Sequence, residues 1–202
     1  MKKLLFFFVA LFLAKMSYAQ QLDSTWSFEA AVNTYFFSDN IIVLPVFIAD
    51  KNHLHLEGRY NYEDLQTVSF WGGYNFYGGE NLAYFVTPMV GAIAGLSNGV
   101  AIGLEFDFNL KKFTLYSEAE QLFDFKNPDN NFFYAWTDFT YAPTNWLFFG
   151  LSGQRTRLYE TETEIQHGLI LGSNIGDFEA TAYLYNIELN DTFLLLSLCY
   201  SF

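Results

Sequence analysis

His53-Leu54-His55-Leu56-Glu57-Gly58-Arg59-Tyr60-Asn61-Tyr62-Glu63 alternates without a break. Leu54, Leu56, Gly58, Tyr60 and Tyr62 fall on one side of an extended chain, and His53, His55, Glu57, Arg59, Asn61 and Glu63 on the other. Successive side chains of a strand point to opposite faces, so this segment has one face for lipid and one for water. The pattern recurs from Val100 to Leu110, where Val100, Ile102, Leu104, Phe106, Phe108 and Leu110 oppose Glu105, Asp107 and Asn109. Near the start, Trp26, Phe28, Ala30 and Val32 oppose Ser27, Glu29 and Asn33.

Segments of this kind, separated by Asn, Asp, Gly and Pro clusters, predict strands at 25–37, 40–49, 53–63, 66–77, 81–94, 99–110, 112–125, 131–142, 145–157, 162–173, 177–188 and 192–202. The expected fold is all-β, a transmembrane antiparallel up-and-down barrel of about twelve strands. Segment 40–49 contains Pro45 and lacks clean alternation, and 81–94 contains Pro88 in a run rich in Gly and Ala, so ten strands is the alternative count. A soluble lipocalin-like barrel or sandwich would also alternate, with its apolar face inward. It would not account for two girdles of lipid-facing aromatics: Phe36, Tyr60, Tyr62, Phe123, Phe125 and Phe133 at one rim, and Trp26, Tyr74, Phe76, Phe106, Phe108, Phe113, Tyr141, Tyr200 and Phe202 at the other. Aromatics make up 21% of the chain, more than a soluble core requires.

Residues 1–19 read as a signal peptide: Met1-Lys2-Lys3, an apolar run from Leu4 to Leu13, and small residues leading to cleavage after Ala19. That run is shorter than the roughly 20 residues a spanning helix needs. Residues 20–202 then form one outer-membrane barrel. Removing Lys2, Lys3 and Lys15 moves the net charge from −12 to −15. So acidic a chain is not built for nucleic acid, whose phosphates demand clustered Lys and Arg. Cys199 is the single cysteine, so no intramolecular disulfide forms, and its thiol is expected to pack inside the last strand.

The chain ends Phe193-Leu194-Leu195-Leu196-Ser197-Leu198-Cys199-Tyr200-Ser201-Phe202, with Leu194, Leu196, Leu198 and Tyr200 in step with the terminal aromatic. This ending resembles the C-terminal insertion signal of Gram-negative outer-membrane β-barrel proteins, the class of porin-like small barrels. The resemblance implies an outer-membrane location, recognition of the Phe202 strand by the barrel assembly machinery, and escort by periplasmic chaperones. It implies no particular substrate.

The same parity sends Glu57, Arg59, Asn61, Glu105, Asp107, Asn109, Glu118, Glu120, Asp138, Gln154, Glu164, Gln166 and Glu179 into the lumen. Glu57, Arg59, Glu105, Asp107, Glu118, Glu120, Asp138 and Gln154 are the candidate constriction. A turn at Lys111-Lys112 places Glu105 opposite Glu118, and a loop centred near Pro128 places Glu118 opposite Asp138. Three carboxylates in a row require a shared proton, a cation, or a base such as Arg59. Such a row is either a structural prop or a cation-favouring constriction.

Bulky residues also point inward: Tyr35, Phe85, Phe132, Trp146, Phe148, Tyr183 and Tyr185, together with Trp71, Tyr116, Tyr134 and Trp136, the candidate stacking surface for a ligand. They either narrow a pore or fill space. Arg155 and Arg157 are expected outward, toward lipid and lipopolysaccharide phosphates. His53-Leu54-His55 has no further His or Cys nearby, so no metal or cofactor site is expected. His53 and His55 fall near the periplasmic end and His167 on the lipid face, and the connections look too short to build a substrate cleft, so no enzyme is expected. The functional expectation is a channel for small cationic or neutral polar solutes; the alternative is a plugged structural or ligand-binding barrel.

Overall fold

The computed structural model describes residues 25–156, 165–187 and 191–202. Its strands are β1 (Ser27–Phe36), β2 (Ile41–Lys51), β3 (Leu54–Tyr60), β4 (Val68–Tyr74), β5 (Phe76–Gly78), β6 (Ala83–Ala94), β7 (Gly99–Leu110), β8 (Phe113–Asp124), β9 (Phe132–Tyr141), β10 (Leu147–Arg155), β11 (Gln166–Ile175), β12 (Phe178–Tyr185) and β13 (Phe193–Ser201). β4 and β5 are two segments of one barrel strand, interrupted at Asn75 and both paired with β6. Each strand pairs antiparallel with its neighbours in sequence, and β1 pairs with β13, so twelve strands close an up-and-down barrel. At the seam the amides of Phe28 and Phe202 donate reciprocally to each other's carbonyls at 2.9 Å. Closure leaves no backbone edge unpaired in the lipid, where each lost hydrogen bond would cost several kcal/mol, of order 2–7.

Both doubtful segments are strands, so the ten-strand alternative falls. β2 shows no alternation because both its faces meet apolar surroundings. Ile41, Val43 and Phe47 point out to lipid, while Ile42 and Leu44 are buried inside the barrel. β6 is rich in Gly and Ala because a large ring needs room beside it. A Cβ added at Gly91 would lie 2.5 Å from the ring of Trp71.

The outer surface carries Val32, Leu56, Phe70, Val90, Ile102, Leu151, Leu169 and Leu198, all exposed. Trp26, Tyr74, Phe113 and Phe202 line the rim at which the termini meet, and Tyr60, Phe123 and Phe133 line the far rim. Tyr62 does not join them. Asn61 takes a left-handed conformation, with a φ of 59°, which ends β3 and breaks the alternation of the residues after it. Tyr62 and Glu63 both turn into the barrel and are buried.

One connection at the far rim is longer than expected, because its first strand stops short of the rim: β3 ends at Tyr60 and β4 begins only at Val68. Trp146, expected in the lumen, sits in the turn before β10 and is 57% exposed. The expected contributions of Arg157, Glu164 and residues 1–19 lie outside the described residues.

Inside the far half of the barrel, Tyr35, Ile42, Leu44, Tyr134, Tyr185, Phe193 and Leu195 form one apolar core. Trp71, Met89, Ile93, Ala101 and Leu122 form a second. A closed twelve-strand ring is wide enough to leave a lumen; here side chains fill half of it. Gly91→Ala is expected to destabilise the barrel by about 1–3 kcal/mol through overpacking against Trp71. Gly72→Ala, with no atom within 4 Å of the added Cβ, is expected to change stability by less than about 0.5 kcal/mol. The temperature at which the folded electrophoretic band is lost measures both.

Candidate functional site: an acidic chamber closed by one arginine

Toward the end where the termini meet, the barrel holds a cavity of about 710 Å³. Among the described residues its walls include eight carboxylates, Glu29, Glu57, Glu105, Asp107, Glu118, Asp138, Asp177 and Glu179, against a single base, Arg59. Tyr62, Trp136, Ile170 and Tyr183 close it toward the packed half. Cys199 faces this space from β13.

β3 is the strand that makes the floor. Its alternation sends His55, Glu57 and Arg59 inward together, and all three are buried. Arg59 Nε donates to Glu57 Oε2 at 2.5 Å, and its Nη1 donates to Glu118 Oε1 at 2.8 Å and to Glu120 Oε1. Nη2 reaches Glu105 Oε1 at 3.4 Å, and Glu63 Oε1 lies 3.9 Å from Nη1. The rings of Tyr62 and Trp71 stand 4.5 and 5.0 Å from the guanidinium carbon. One planar cation thus bridges strands β3, β7 and β8 and the 61–67 connection. Its fork of donors and flat face suit this in a way a lysine would not.

Tyr62 ties the connection to the same group, its hydroxyl donating to Glu118 Oε2 at 2.7 Å and meeting Tyr134 Oη at 3.2 Å. Burial, reinforced by the Glu118 carboxylate, holds the Tyr62 phenol well above its ordinary pKa, so it stays a donor. Glu63 accepts from Ser69 Oγ at 2.6 Å and from Trp71 Nε1 at 2.9 Å.

Glu105 stands opposite Glu118 in the β7–β8 ladder. Asp138 does not continue the row. Opposite Glu118 on β9 is Trp136, and Asp138 faces Tyr116. The reversal is centred one residue earlier than Pro128 because Asp124 Oδ1 accepts from the amides of Lys126 and Asn127 and starts the turn, which a short 3-10 stretch, Pro128–Asn130, completes. Asp138 instead has neutral partners: Trp136 Nε1 at 2.6 Å, Ser152 Oγ at 2.5 Å and Tyr183 Oη at 3.0 Å.

Glu57, Arg59, Glu105, Asp107, Glu118 and Asp138 therefore line the chamber, Glu120 lies buried beyond Arg59, and Gln154 is enclosed in the packed half, donating to Tyr35 Oη at 2.7 Å. Of the four aromatics with candidate stacking roles, Tyr116 and Trp136 face the cavity, whereas Trp71 and Tyr134 are packed behind it. Asn61 is spent on its turn, its Oδ1 accepting from the Gln66 amide at 2.7 Å, while its Nδ2 donates to Val43 O on β2 at 3.1 Å. Arg155 points out, donating to Phe133 O at 2.7 Å beside that ring.

Sequence reasoning missed two things. Tyr62 becomes a lumen residue only through the left-handed Asn61. His55 joins Glu57 and Glu105 as a compact group of potential ligands, and the partner that completes it, Glu105, comes from a strand not adjacent to β3. An Asn near the end of an alternating run was the available signal for the first; the second had none.

Replacing Arg59 by Met is expected to destabilise the barrel by about 3–5 kcal/mol, since the carboxylates it joins remain buried without it. Arg59→Lys should recover only part of the loss, as read from the urea midpoint of tryptophan fluorescence in detergent micelles.

No protein-family model and no curated protein sequence matches the chain. Among solved structures, the KdgM porin superposes with a TM-score of 0.63 at 13% identity, covering 86% of this chain and 99% of that one. The KdgM porin in complex with disordered oligogalacturonate gives 0.64 at 12% identity, over 86% and 99%. The outer membrane protein Omp33 of Acinetobacter baumannii gives 0.52 at 12% identity, over 88% and 98%. At these identities the likeness is one of fold: the chain has the closed twelve-strand barrel of outer-membrane porins.

Proposed function

We propose that this chain is a porin-like barrel of the bacterial outer membrane whose acidic lumen receives small cationic or neutral polar solutes. The sign of the chamber carries this reading. Eight carboxylates and one already engaged arginine line a cavity of about 710 Å³, and such a field concentrates cations and repels anions. One of the similar porins was solved with oligogalacturonate, a chain of sugar acids; a chamber of the present charge would oppose such a polyanion, so a shared fold here goes with a ligand of different charge. Glu57, Arg59, Glu105, Glu118 and Glu120 form the constriction in this proposal, and Tyr116 and Trp136 offer ring faces to a solute above it.

The signal peptide is removed near Ala19, the barrel assembly machinery engages the strand ending at Phe202, and the termini face the periplasm, so the chamber opens inward. Arg155 at the opposite rim then meets lipopolysaccharide phosphates. No catalytic role is assigned: His167 is on the outer face, and His53 is held by the rings of Tyr74 and Tyr77, 4.8 and 5.3 Å away.

A second reading, a plugged structural or ligand-binding barrel, is favoured by the apolar cores beyond Arg59, where Tyr35, Tyr185 and Leu195 are at most 1% exposed. Planar-bilayer recording with a salt gradient separates the two. Discrete cation-selective steps, with selectivity reduced in Glu118→Gln, are the expected result of the channel reading; a silent bilayer with folded protein shows the plugged barrel instead.

A further inference from the structure

The chamber floor holds a second constellation beside the arginine. His55, Glu57 and Glu105 each present one nitrogen or oxygen, and these three atoms lie within 4.8 Å of one another. β3 supplies two of them two residues apart, hence on one face, and β7 supplies the third.

What distinguishes this group from a chance cluster of acids is how the imidazole is held. His55 Nδ1 lies 2.8 Å from Asp50 Oδ1. Asn75 Nδ2 donates to the same oxygen at 2.7 Å, and Thr87 Oγ1 donates to Asn75 Oδ1 at 2.7 Å. Asn75 and Thr87 are at most 1% exposed. This chain places the Nδ1 proton on the Asp50 side and aims Nε2 at the two glutamates. A carboxylate behind one ring nitrogen is the usual outer support of a metal-bound histidine, fixing tautomer and ring orientation.

Glu57 is supported likewise. Arg59 Nε occupies its Oε2, leaving Oε1 toward His55 Nε2 at 2.5 Å. Glu105 is the accessible member, 17% exposed and part of the cavity wall. Charge points the same way. Glu57, Glu63, Glu105, Glu118 and Glu120 all lie within 4 Å of Arg59, and one arginine and one histidine cannot offset five carboxylates.

We propose that His55 Nε2, Glu57 and Glu105 form a binding site for a divalent transition metal ion of the zinc class. Three protein ligands hold the ion, and the remaining position opens toward the chamber. A nitrogen ligand beside two carboxylates selects zinc, cobalt or nickel over magnesium and calcium, which prefer oxygen alone. The ion takes the place of the proton shared between His55 and Glu57, which leaves to solvent on binding. The site does not depend on conduction, so a silent bilayer leaves it standing.

The test is calorimetric titration of the folded full chain in detergent micelles with Zn²⁺, magnesium being present in excess. One saturable equivalent is expected. Glu105→Gln should weaken it by at least about tenfold, and Asp50→Asn, acting only through His55, by about ten- to a hundredfold. Glu179→Gln, in the same chamber but outside the group, should bind as the unaltered protein does. Absence of saturable binding overturns the proposal. So does equal affinity in Glu105→Gln, or an equal loss in Glu179→Gln, which would mark a diffuse acidic atmosphere rather than a site. His55→Gln should abolish binding; if it does not fold, Glu105→Gln decides alone.

Discussion

Everything inside this barrel is arranged around a charge almost wholly withdrawn from water. Arg59 is 3% exposed, and a guanidinium so placed is tolerable only if its donors are met and its charge is answered. Four carboxylates accept from it, a fifth stands near, and two aromatic rings flank it. Each partner then inherits requirements of its own. Glu118 needs Tyr62, Glu63 needs Ser69 and Trp71, and Trp71 needs the empty space at Gly91. The division of the lumen into a packed half and a wet half is set by the position of this group.

The chamber treats its acids in more than one way. Asp138 is satisfied by neutral donors, whereas Glu57 and Glu118 share the one arginine. Those farther out, Glu29, Asp107 and Glu179, belong to the cavity wall, with Asn109 donating to Asp107 and Thr181 to Glu179. Net negative charge is therefore a property of the space rather than of any one residue.

Much of this was legible in the sequence. A period of two needs only local bookkeeping, so the strands, the lipid face and the inward carboxylates emerge from counting, as does the Glu105–Glu118 pair across the tight Lys111-Lys112 turn, where Lys111 has a φ of 57°. Counting fails where the backbone leaves the extended region, and a left-handed Asn61 was enough to carry Tyr62 from the lipid face to the lumen. It fails by one residue where a side chain such as Asp124 starts a turn early, which moved Asp138 out of the row. Contacts across the lumen, such as His55 with Glu105, link strands that are not neighbours. Their proximity depends on barrel diameter and stagger, which no hairpin reveals.

The segment from Asn61 to Thr67 connects two strands at a rim, the kind of place where chains ordinarily accept insertions. Here it delivers Tyr62 and Glu63 to the buried arginine, Leu65 to the apolar core, and Asp64 to a hydrogen bond from Ser97. In its tolerance to change it is core, not surface. An epitope tag or a reporter spliced there would unseat the interior of the barrel, although a map of strands and loops would recommend the position.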